Sequence, residues 1–116
     1  MKRTFIIALA ALFVTAAHAQ QKDSLPAKPD PAKKLMVVDA ACGMCQFGMK
    51  ASDCVLAVRI DGKTYFVDGT SIDDYGDAHA KDGFCNATRK AEVQGEIVNG
   101  RFRATYFHLI KPAKDQ

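Results

Sequence analysis

The sequence predicts a mainly β domain: five antiparallel strands closed into a small barrel, with one short helix between the third and fourth. Three observations carry this. The pairs Asp61-Gly62 and Asn99-Gly100 each separate two alternating apolar–polar stretches, and such pairs favour the positive φ that a two-residue hairpin turn needs at both centres. A β-branched apolar run stands ahead of the first hairpin. Between the hairpins, residues 69–90 change to small and acidic residues with scattered apolar ones.

Taken in order, Met1-Lys2-Arg3 is a basic start and Phe5 to Ala17 an apolar run broken by Thr15. Ala17-His18-Ala19 then offers the small-x-small pattern of a signal-peptidase site before Gln20. Residues 1–19 therefore read as a signal peptide, cut between Ala19 and Gln20, and the run is too short for a membrane span. Residues 20–34 hold three of the four prolines and one large apolar residue, Leu25, which predicts a flexible Lys/Pro-rich spacer. The folded domain is expected over residues 35–111, followed by a tail at 112–116.

Leu35 to Val38 opens the first strand, running on towards Ala41. Residues 42–54 carry glycines and no periodicity, which predicts a long ordered loop. Val55 to Ile60 and Lys63 to Asp68 form the first hairpin. A short helix over Ala78 to Asn86, with Asp77 as its cap, follows, and Gly83 inside it points to a broken element. Ala91 onward and Arg101 to Ile110 form the second hairpin, which Pro112 ends. Five strands with a helix between the third and fourth is the layout of the OB-fold barrel.

Charge narrows the function. The formal net charge of the 116 residues is +3, but residues 35–111 hold nine Lys or Arg against ten Asp or Glu. Nucleic-acid binding, which depends on neutralising phosphates, is not supported. The chain is too small for an ATP-dependent synthetase or a transporter, and it has no phosphate-binding loop, serine nucleophile elbow or H-E-x-x-H helix. An enzyme with its own turnover is not expected, and a monomer with no membrane span is.

Cys42, Cys45, Cys54 and Cys85 all fall in the predicted domain. Three readings stand side by side. In an oxidising compartment a small domain gains from two structural disulfides, and a bond from Cys85 to a loop cysteine would pin the helix to the first loop. A Cys42–Cys45 bond would close the smallest loop and stabilise least. Alternatively, Cys42-x-x-Cys45 with Cys54 and Cys85 supplies soft ligands for zinc or copper. His79 is a possible further ligand, and Met44 and Met49 are weaker candidates because thioethers favour Cu(I). The third reading is thiol–disulfide exchange at Cys42-Gly43-Met44-Cys45, set against by the lack of a parallel-sheet pattern and of a proline to face the dithiol. Asp73, Asp74, Asp77 and Asp82 read as a solvated acidic face.

The runs Ala41-Cys42-Gly43-Met44-Cys45-Gln46-Phe47-Gly48-Met49, Ile60-Asp61-Gly62-Lys63 and Asp77-Ala78-His79-Ala80-Lys81-Asp82-Gly83-Phe84-Cys85-Asn86-Ala87 resemble a family of small exported bacterial proteins of no established function. Some relatives carry a glutaminyl-tRNA synthetase label, which this length and leader contradict. The run from Val93 to Leu109 is similar to the closing hairpin of small periplasmic OB-fold proteins. The resemblance implies that fold and the joint importance of the cysteines and His79. The expectation is an exported, secreted or periplasmic binding module of unknown ligand with a disulfide- or metal-stapled cysteine loop. A periplasmic zinc- or copper-binding protein is the alternative, and an oxidoreductase the third.

Overall fold

The computed structural model describes residues 24–111; the expected signal peptide at 1–19, the first residues of the expected spacer and the expected tail at 112–116 lie outside these residues. Five strands form β1 (Met36–Cys42), β2 (Leu56–Ile60), β3 (Lys63–Asp68), β4 (Arg89–Val98) and β5 (Arg101–Leu109). They close into a barrel in the order β1-β2-β3-β5-β4, with β4 returning to β1. Both two-residue turns form as expected: Asp61 and Gly62 have φ of 50° and 79°, Asn99 and Gly100 of 53° and 74°. Leu56, Val58, Val67, Val93 and Phe102 point inward from the alternating strands and fill the barrel, joined by Phe84 from the β3–β4 connection.

Two expectations need correction. The sheet is mixed rather than antiparallel, because β3 and β5 run parallel, with Val67 opposite Phe102. The reason is arithmetic: in a closed ring of five strands, directions cannot alternate all the way round, so at least one neighbouring pair must be parallel. Nor does a helix form over residues 78–86. The helical element of the connection is a 3₁₀ turn, Ile72–Tyr75, where Ser71 and Asp74 form a capping box. After it the chain makes successive tight turns, with Ala80 N–H donating to Asp77 O and Gly83 N–H to Ala80 O. Asp77 caps such a turn, accepting from His79 N–H at 2.9 Å. Gly83 packs on the carbonyls of Asp77 and Ala78, where any Cβ would clash.

The described part of the Pro-rich stretch is tied to the barrel, unlike the flexible spacer expected there. Gln94, 1% exposed on β4, accepts from Asp30 N–H at 2.8 Å. Its own amide donates to Asp30 O at 2.8 Å and Lys33 O at 3.0 Å. Leu25 packs against the core. Three hydrogen bonds from one buried side chain, together with the packing of Leu25, offset part of the ordering entropy that composition alone could not.

Candidate functional site

All four cysteines converge at one end of the barrel. Cys42 is the last residue of β1 and fully buried. A one-turn helix, α1 (Gly43–Gln46), follows at once and carries Cys45. Cys54 precedes β2, and Cys85 comes from the turns between β3 and β4. Their sulfurs all lie within 4.8 Å of one another. Cys54 is the hub: its Sγ is 2.7 Å from that of Cys85 and 3.7 Å from that of Cys45. Cys42 and Cys54 stand at disulfide distance, their Cα atoms 5.6 Å apart, while Cys45 and Cys85 are free thiols.

Backbone bonds set this arrangement. Cys42 N–H donates to Phe84 O at 3.0 Å, tying the end of β1 to the residue before Cys85. Gly43 N–H donates to Val55 O at 2.9 Å, beside Cys54. The Gln46 side-chain amide donates to Cys85 O at 2.9 Å, which closes the cysteine loop over the β3–β4 connection. Within the turn, Cys45 N–H donates to Cys42 Sγ at 3.4 Å, which holds the two sulfur-bearing residues together across α1.

Gly43 lets α1 lie flat on the barrel's outer face. A Cβ there would stand 2.8 Å from the Phe66 ring, 2.9 Å from Met49 Sδ and 3.1 Å from Ala57 Cβ. Ala57 lies between the core residues Leu56 and Val58 and faces outward, yet it is 0% exposed because this loop covers it. Phe47 extends the cover, with the Arg59 guanidinium 4.5 Å above its ring.

Burial pushes the Cys85 thiol above its ordinary value, reinforced by its contact with Cys45 and by the negative charges of Asp77 and Asp53. The same two carboxylates that oppose a bare thiolate favour a cation among the sulfurs.

The remaining sequence candidates are placed apart from this geometry or at its margin. His79 is mostly solvent-exposed, with Nδ1 4.0 Å from Asp77 Oδ1, and it is not one of the four clustered residues. Met44 is exposed, whereas Met49 packs against Gly43. The pair at disulfide distance joins two cysteines of the first loop, Cys42 and Cys54, and Cys85, expected to bond to a loop cysteine, has its Sγ 2.7 Å from that of Cys54. Sequence reasoning passed over Gly43 and Gln94. The glycine between Cys42 and Met44 was a visible signal, but a buried glutamine on a strand has no local signature.

A model of a family of unknown function, DUF6370, matches residues 36–110. No curated protein and no solved structure matches the chain.

Proposed function

The chain belongs to this family of unknown function, and on that premise we propose that it is an exported, monomeric OB-type domain that holds one thiophilic metal ion, zinc or copper(I), between Cys42, Cys45, Cys54 and Cys85. The observation that carries the reading is the mutual approach of all four sulfurs to within 4.8 Å. Four thiolates bound tetrahedrally at about 2.3 Å from zinc stand about 3.8 Å from one another. A single disulfide engages two sulfurs, whereas a shared ion engages all four at one centre. The nearby Asp53 and Asp77 charges support a thiolate–cation pair.

The OB assignment rests on the strand order and the β3–β5 parallel pair. OB barrels often bind ligands across strands 2 and 3. Here α1 and Met49 lie on part of that face, which favours the cysteine centre over an open ligand surface as the working feature. Export rests on the leader at residues 1–19.

The second reading is a structural pair of disulfides, Cys42–Cys54 and Cys45–Cys85. It is favoured by the first pair's separation and by the oxidising compartment that the leader implies. Native and denatured mass spectrometry of the protein purified without chelator, with a thiol count, separates the two. The metal reading expects one metal ion in the native mass and four reactive thiols after unfolding. It also expects loss of that ion in Cys45→Ser, whose exposed position spares the core. A metal-free protein with no free thiols, unable to take up zinc or copper(I) after reduction, overturns it.

A further inference from the structure

Gln94 spends all its side-chain hydrogen bonds on holding the backbone of residues 30–33 against the barrel, across more than sixty residues of sequence. This brings Lys33 and Lys34 over an irregularity in the sheet. Gln94 pairs with Tyr106 and Gly95 with Ala104, so Thr105 is an extra residue, a β-bulge. Gly95 lets the strands approach there, since a Cβ would strike the Arg103 carbonyl. Bulges re-aim side chains and recur beside binding sites.

The bulge forms the floor of a concavity of about 440 Å³ lined by Lys33, Lys34, Gly95, Glu96, Arg103 and Thr105. Its cations form no ion pair among the described residues, though Glu96 stands opposite Arg103 in the β4–β5 register. Arg59, Arg89 and Arg101 each lie beside an aspartate, whereas Arg103 has no ionic partner among the described residues. Lys33 and Lys34 have none either, and among the described residues Glu96 is the only carboxylate in the lining, so positive charge is in excess there. The Thr105 hydroxyl is buried without a hydrogen-bond partner among the described residues, and one staggered step about its χ1 carries the hydroxyl to the methyl's position while the methyl takes the hydrogen's.

We propose that this bulge pocket is a second site, separate from the cysteines, which binds the oxyanion group of a small molecule: a phosphate or a carboxylate. Arg103 supplies the planar fork that matches either group, and Lys33 and Lys34 supply point charges. Thr105 supplies one hydroxyl donor. The volume suits a small ligand.

The test uses the intact protein, titrated with inorganic phosphate or with acetate at constant ionic strength and followed by amide NMR. The expected result is a saturable shift at Gly95 and Thr105 with one of the two anions, which also identifies the group recognised. Arg103→Gln weakens that binding about tenfold or more, and Thr105→Val weakens it while leaving the fold intact. Gln94→Leu, which releases Lys33 and Lys34, weakens it as well; Lys81→Ala, on the opposite connection, does not. Shifts that fail to saturate with both anions, or binding unchanged in Arg103→Gln, overturn the proposal. Because the readout is at the bulge and the cysteines are untouched, this outcome is independent of metal content.

Discussion

Gly43→Ala tests whether the cysteine loop's position depends on close packing against the barrel. Gly43 does not have a positive φ, so alanine meets no backbone penalty and the effect is steric. The new methyl would meet the Phe66 ring edge at 2.8 Å, Met49 Sδ at 2.9 Å and Ala57 Cβ at 3.1 Å. The Met49 thioether can swing aside. Ala57 cannot, because its Cβ is fixed to β2 and it pairs in register with Phe66 on β3. Overpacking of this kind costs about 1–3 kcal/mol. Against it stands about 0.4–1 kcal/mol gained by restricting the unfolded chain. The net expectation is a loss of about 1–2 kcal/mol, which lowers the melting temperature of a domain this size by about 5–15 °C. Urea and thermal unfolding followed by circular dichroism measure it. The same displacement lifts α1 and carries Cys45 away from Cys54, so thiol reactivity at Cys45 should rise in parallel. Adding Met49→Ala should recover part of the loss by clearing one of the three contacts. A Gly43→Ala protein as stable as the parent, with unchanged thiol reactivity, would refute the packing account.

Three further outcomes follow from the geometry. Gln94→Leu removes the three bonds to Asp30 and Lys33; limited trypsin digestion should then cut at Lys33 and Lys34 markedly faster, with a stability loss of about 1–3 kcal/mol. Burial raises the Tyr75 phenol above its ordinary value of 10.0, opposed by the Thr70 hydroxyl bond and helped by Asp74. Its contribution to stability is therefore complete below about pH 10 and is lost as pH rises through the raised value. Alkaline unfolding should be less steep in Tyr75→Phe, which keeps the ring contacts with Phe84 and Phe107. Asn99→Ala, at φ 53°, should cost about 1 kcal/mol in chemical denaturation, because an alanine Cβ resists the left-handed region.

How far the molecule is legible in its sequence differs by feature, for physical reasons. Asp61-Gly62 and Asn99-Gly100 encode their turns locally, since their preference for positive φ is a property of the residues themselves. The inward faces of β2, β4 and β5 follow from alternation. The stretch 77–87 misleads. Its composition suits a helix, but Gly83 and the pull of Phe84 into the core fold it into turns instead. The parallel β3–β5 pair follows from ring closure, and no residue announces it.

The sequence by itself determined the two hairpins, the strand faces and the presence of four cysteines within one small domain, because these depend on local dihedral preference and side-chain period. Only the tertiary structure decided that Cys42, Cys45, Cys54 and Cys85 share one point in space. That convergence depends on β1 ending against Phe84 and on Gly43 admitting a loop onto the barrel wall. The same is true of Gln94, whose partners lie more than sixty residues away. Contacts at such separation arise from barrel closure, which no local pattern records.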